Sequence, residues 1–128
     1  MSHQRLVLLV ASDRLAGRFA REGLEGFGYD VLTAWNVDEA RAFLQARRRI
    51  DVLVVDVKAD DVASGLALAR QARAADPGIR VIYTCGIPNR LPEREKVSGA
   101  PSLRTPYHPH QLVSVIGQIT HRAEAHAA

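Results

Sequence analysis

Apolar residues fall along this chain in two patterns. The first is the short unbroken run: Leu6-Val7-Leu8-Leu9-Val10, then Val31-Leu32-Thr33-Ala34, then Val52-Leu53-Val54-Val55, then Val81-Ile82-Tyr83-Thr84 after Arg80. Runs of this kind, bounded by polar residues, mark strands covered on both faces. The third is the clearest, because Ile50 to Val55 leads straight into a lone carboxylate, Asp56. Pro101 to Arg104 adds a weak fifth strand, whose proline suits an edge where one amide faces no partner.

The second pattern recurs at three- and four-residue steps and predicts helices. Asp13 to Glu25 is the first, with Leu15, Ala16, Phe19, Ala20 and Gly23 inward, closed by Gly26 and Gly28. Asn36 with Glu39 three residues on forms a capping-box-like start for the second, which runs to about Arg48 with Ala40, Phe43, Leu44 and Ala46 inward. Gly65 to Ala74 is the third, stopped by Asp76-Pro77-Gly78. Ile87 to Pro92 cannot be regular, so a fourth helix is short, about Glu93 to Val97. Leu112, Val115, Ile116 and Ile119 define the last helix, with Pro109 in its first turn, and the residues from Ala123 read as a short flexible tail.

Strands and helices alternating with short connections require a parallel sheet with right-handed crossovers, a doubly wound α/β three-layer sandwich compatible with strand order 2-1-3-4-5. Ligand sites in such sheets lie outside the carboxyl ends of the strands. That selects Ala11, Ser12 and Asp13 after the first strand, Asp56 after the third, Thr84 and Cys85 after the fourth and Thr105 after the fifth.

Composition narrows this further. With 128 residues, 47% hydrophobic and 24% charged, the chain reads as a single domain without linkers. The apolar run after Arg5 is too short for a signal peptide or a membrane span, and the single cysteine, Cys85, cannot form an internal disulfide. A cytoplasmic location is expected. The formal charge of +3 is spread along the chain, so no nucleic-acid partner is expected.

The residues at the strand ends carry a resemblance. Leu6 to Val10, Asp30 to Ala34, Asp51 to Asp56, Gly65-Leu66, Tyr83-Thr84-Cys85-Gly86 and Thr105-Pro106-Tyr107 resemble, in order and spacing, the landmarks of CheY-like response-regulator receiver domains. The resemblance implies a flavodoxin-like (βα)5 fold and a phosphoacceptor at Asp56. It also implies a switch residue at Thr84, a cis bond before Pro106, and a sensor histidine kinase or phosphotransfer protein as phosphoryl donor.

The same resemblance exposes departures. The acidic pair that holds magnesium in receivers falls on Ala11 and Ser12, with Asp13 one position beyond; the lysine after the fifth strand falls on Thr105, and the switch aromatic falls on Ser102. Magnesium wants near-octahedral oxygen ligands with one or two carboxylates, so Asp56 with Asp13 is at best a weak magnesium site, and no other cofactor is expected. Loss of the lysine is expected to cost roughly 3 to 4 kcal/mol of transition-state stabilisation, by analogy with deleting one preorganised donor.

Other residues read more plainly. Thr84 also serves as a β-branched strand end, Asp56 as a cap for the loop after it, and Cys85 as packing. Asp60 and Asp61 are solvated turn residues, and Arg47-Arg48-Arg49 suits a helix carboxyl end. His108, His110, His121 and His126 lack a metal spacing, and Trp35 is expected half-buried.

Three functions follow from these readings. The first is a divergent, non-enzymatic two-component receiver that acts through protein contacts, with phosphorylation weakened or lost. The second is a working phosphoacceptor in a phosphorelay, modified on Asp56. The third, a flavin- or nucleotide-binding flavodoxin-like module, is disfavoured because Ala11 to Gly17 lacks a phosphate cradle. Output through a downstream partner is expected, since no output segment follows Ala128. The expected surface for this, and for homodimerisation, is helix four, strand five and helix five: Ile87 to Pro92, Leu103 and the outer face of Gln111 to His121.

Overall fold

Alternate residues of the apolar runs go to opposite faces of one parallel sheet, as the two-residue period of a strand requires. The computed structural model describes residues 5–46 and 49–127, without the side chains at 89 and 121–127. Strands β1 (Leu6–Val10), β2 (Asp30–Ala34), β3 (Val52–Asp56), β4 (Arg80–Cys85) and β5 (Ser102–Arg104) are ordered β2-β1-β3-β4-β5. Val7, Leu9, Val52, Val54 and Ile82 meet Ala20 and Leu24 of α1 (Arg14–Gly26) and Leu112 and Ile116 of α4 (Pro109–Ala127). Leu8, Val10, Leu53, Val55, Val81 and Tyr83 meet α2 (Val37–Gln45) and α3 (Val62–Ala75) on the other face.

Side-chain oxygens start three of the helices by accepting orphan amides of the first turn. The Asp13 carboxylate accepts from the Ala16 amide at 3.0 Å and the Asn36 amide oxygen from Glu39 at 2.8 Å. Asp61 accepts from the Ser64 amide at 3.3 Å and from the Ser64 hydroxyl at 2.6 Å. Asp61 is therefore a helix cap rather than a simple solvated turn residue, and α3 begins at Val62, ahead of the glycine that the sequence suggests as its start.

The first helix lies rotated from the face read in the sequence. Gly17, Ala20 and Leu24 are its buried residues, whereas Ala16 is exposed and Leu15 and Phe19 are 79% and 56% exposed. Gly17 decides the rotation: a Cβ there would stand 2.7 Å from the Trp35 ring, so the bare backbone seats against the half-buried indole. Gly23 likewise lets α1 approach Pro109 at the start of α4.

Between β4 and β5 there is no α-helix. Pro88 and Pro92 each lack an amide hydrogen, and the segment forms two short 3-10 turns, Pro88–Arg90 and Glu93–Glu95. It is fastened from below. The buried Tyr83 hydroxyl accepts from the Val97 amide at 3.0 Å, while Arg70 and Arg73 donate to the carbonyls of Glu95 and Ser98 at 3.1 and 2.8 Å. The fivefold strand–helix alternation is thus realised with four α-helices.

Other boundaries differ in detail. The second helix ends at Gln45, and Ala46, expected inward, is exposed as its cap. Arg47 and Arg48 lie outside the described residues. Arg49 stands 3.5 Å from the buried Asp51 carboxylate, which also accepts the Leu6 amide at 2.8 Å, so its charge serves β1 and β3 rather than a helix end. Helix α4 continues past 123, into the stretch expected to fray.

Candidate functional site

Sheet register alone brings the central residues together. Val10 pairs with Val55 and Asp56 with Thr84, so the loop after β1 and the end of β4 both reach Asp56. Ser12 Oγ donates to Asp56 Oδ2 at 2.7 Å, and Thr84 Oγ1 donates to Asp56 Oδ1 at 3.2 Å. Both oxygens of the half-buried carboxylate are therefore covered by neutral hydroxyls. Thr84, only 2% exposed, has its hydroxyl turned to Asp56.

Two clefts meet at this carboxylate. One, of about 370 Å³, runs past Ala11, Asp13, Thr84, Thr105 and Tyr107 to Phe19. The other, of about 320 Å³, is lined by Ala11, Ser12, Trp35, Arg41, Lys58 and Asp61 among others. Thr105 brings no charge to the first; its amide donates to the Cys85 carbonyl at 2.9 Å, and the Thr105–Pro106 peptide is cis, as the resemblance implies. Burial, and then the Asp56 charge, push the Tyr107 phenol up to about 12. Burial also raises the Cys85 thiol, with a smaller push from Asp56, consistent with its packing role.

The donor set does not fit a magnesium ion. Ala11 offers only a methyl group, Ser12 a neutral hydroxyl already bonded to Asp56, and Asp13 is engaged as the cap of α1. Among the described residues no three His, Cys, Asp or Glu side chains are grouped to hold a metal. Hard divalent cations favour carboxylate oxygens over isolated hydroxyls, and this head of the sheet offers Asp56 almost alone.

The remaining candidates disperse. Ser102, where a receiver has its switch aromatic, lies on β5 beside Tyr83 with its hydroxyl buried and unpartnered among the described residues. His108 and His110 are exposed, their rings 4.6 Å apart and edge-on to Phe19 and Phe27, far from any metal arrangement. The side chains of His121 and His126 lie outside the described residues. Sequence reasoning named Ser12 without its role and missed Lys58. Ser12 was legible only as a lost acid, although strand order 2-1-3 puts it beside Asp56; Lys58 was passed over, although an extended residue two steps from Asp56 shares its side of the strand.

No family model matches the sequence, and no curated protein is similar to it. Solved structures are. A CheY-like response regulator receiver domain protein from Methanospirillum hungatei aligns with TM-score 0.82 at 20% identity, over 97% of this chain and 99% of that one. A response regulator from Thermotoga maritima gives 0.78 at 24%, over 91% and 98%. The Vibrio cholerae chemotaxis protein CheY4 gives 0.80 at 22%, over 91% and 98%.

The chain has the receiver fold.

Within it, Asp56 stands at the end of the central strand and Thr84 at the end of the next, the places named by the sequence resemblance. The loops after β1 and β5 bring Ala11, Ser12 and Thr105 to this end of the sheet, so that these loops set hydroxyls and a methyl group, and no lysine, around Asp56. Among the described residues no helix is long and apolar enough to cross a membrane.

Proposed function

We propose that this chain is a divergent receiver module of two-component or phosphorelay signalling, with magnesium-dependent phosphorylation weakened or lost, acting through contacts with other proteins. The observation that carries this reading is the pair of hydroxyls on Asp56: Ser12 and Thr84 satisfy both carboxylate oxygens where metal-assisted transfer needs further carboxylates. A sensor histidine kinase or phosphotransfer protein is the proposed upstream partner, by resemblance. The downstream contact is assigned to the segment from Ile87 to Pro92, Leu103 and the outer face of α4. This surface lacks a fourth helix, exposes Ile87 and ends in the three-residue edge strand β5. An edge strand beside an amphipathic helix also suits homodimerisation.

A second reading, a working phosphoacceptor on Asp56, draws support from the same Thr84 hydroxyl, which is already within reach of a group joined to that carboxylate. Intact mass during incubation with acetyl phosphate and magnesium separates the two. Most of the protein should stay unmodified on the timescale in which an intact receiver is filled. Prompt stoichiometric gain of one phosphoryl group, lost in Asp56→Asn, would establish the second reading and sink the first.

A further inference from the structure

A phosphoryl group joined to Asp56 brings nearly two negative charges to the head of the sheet. Transfer chemistry of this kind relies on positioning and on compensation of that charge. The clefts that meet at Asp56 contain two cationic side chains, Arg41 and Lys58, and both line the same cleft, on the far side from Thr105. Arg41 is committed: its guanidinium donates to Asp38 and to Gln71, each at 3.1 Å. The Lys58 ammonium is exposed, and among the described residues it has neither an acid nor a hydrogen-bond partner.

Backbone geometry aims Lys58 at the acceptor. The Val57 amide donates to the Thr84 carbonyl at 2.7 Å, and the Val57 side chain is buried at 4% exposure. The chain thus stays beside β4 for one residue beyond Asp56, and Asp56 and Lys58 flank a buried residue that points the other way. The next residues fold back at once. The Asp61 amide donates to the Lys58 carbonyl at 3.1 Å. Of the acids that line this cleft besides Asp56, Asp61 is turned onto Ser64 as the cap of α3 and Asp38 is bonded to Arg41. What remains beside Asp56 is a mobile four-carbon stem carrying an unpaired cation, a form well suited to follow a tetrahedral oxyanion.

We infer that Lys58 is the phosphoryl-binding cation of this chain, so that whatever acceptor activity Asp56 retains is independent of divalent metal and dependent on Lys58. This rests on the reading of the site as a receiver with a failed magnesium centre, and names what stands in its place. With acetyl phosphate as donor, a carboxylate oxygen of Asp56 forms the new bond to phosphorus. The donor's phosphorus–oxygen bond breaks, and acetate leaves with that electron pair; no proton changes hands. The Lys58 ammonium and the hydroxyls of Ser12 and Thr84 then face the transferred oxygens.

The test is a time course of intact mass with acetyl phosphate, in EDTA and in magnesium, for the wild-type chain, Asp56→Asn, Lys58→Met and Lys58→Arg. The expected result is slow gain of one phosphoryl group at the same rate in both buffers and absent from Asp56→Asn. Lys58→Met should slow it roughly a hundredfold, the scale of losing one charge-stabilising donor, while Lys58→Arg keeps most of the rate. Lys58 is exposed, and unchanged circular dichroism of Lys58→Met excludes a folding defect. Equal rates in Lys58→Met and wild type overturn the inference. No modification of the wild type in either buffer also overturns it, and leaves the proposed loss of phosphorylation standing. Fast modification that appears only with magnesium overturns both.

Discussion

Ser12 and Thr84 each give Asp56 a hydrogen bond to an ionised acceptor, among the stronger kinds of hydrogen bond in proteins. That suffices to hold a carboxylate at a strand end, but it adds no charge to recruit a dication or to neutralise a phosphoryl group. On the proposed reading the deficit is one of charge, since the loops after β1 and β5 already lie at Asp56. On that reading, added charge should strengthen phosphorylation. Ser12→Asp together with Thr105→Lys puts a second carboxylate beside Asp56 and an ammonium at the end of β5. Phosphorylation of the double variant by acetyl phosphate should become magnesium-dependent and rise by roughly a hundredfold over the wild type, the scale of one or two preorganised electrostatic partners. Mass spectrometry with and without EDTA reads the effect. A double variant that folds and stays as slow as wild type would mean that the loops, and not their charges, limit the site.

At the scale of elements, the segment between β4 and β5 owes its path to a few polar fastenings rather than to helical hydrogen bonding. Tyr83 is the deepest of these: it belongs to the core under α3, and its hydroxyl takes the Val97 amide in a buried bond. Burial raises the phenol above its ordinary value, against a smaller opposing effect of the Val97 amide. Tyr83→Phe keeps the ring and leaves the Val97 amide unsatisfied, which should cost about 1–3 kcal/mol. Urea denaturation should show the midpoint falling with little change in slope, and an unchanged midpoint would mean that the amide finds water instead. The same segment shows where the sequence was legible. Continuous apolar runs named four of the five strands, because burial on both faces leaves no alternative pattern, and the short edge strand β5 was legible only as the weak stretch from Pro101 to Arg104. The order β2-β1-β3-β4-β5 then placed Asp56, Thr84 and the loop after β1 at one end. The outward turn of Leu15 and Phe19 was not legible, because it depends on Gly17 meeting Trp35 across a loop. The start of α3 was hidden for a similar reason: Asp61 looks like any acidic loop residue until its carboxylate is seen on Ser64. The cap geometry, not the amino-acid type, made the difference.

For the whole molecule, the question is whether a change at Asp56 is felt at the proposed contact surface. Coupling between two sites needs an element with two arrangements that each site favours differently. The connecting residues here offer little of that kind. Thr84 already bonds Asp56, and Ser102 has no ring to move between Asp56 and the outer surface. Strands β4 and β5 run from Asp56 to the proposed contact surface, and Thr84 and Ser102, the side chains named along them, are small. The assembly state and the protection of residues 102–116 should therefore be the same in wild type and Asp56→Asn, with or without acetyl phosphate. Sedimentation equilibrium and amide hydrogen exchange read these two quantities on the same samples. A donor-induced shift in either that disappears in Asp56→Asn would show that Asp56 still commands the far surface, through the backbone of β4 and β5 rather than through a side-chain switch.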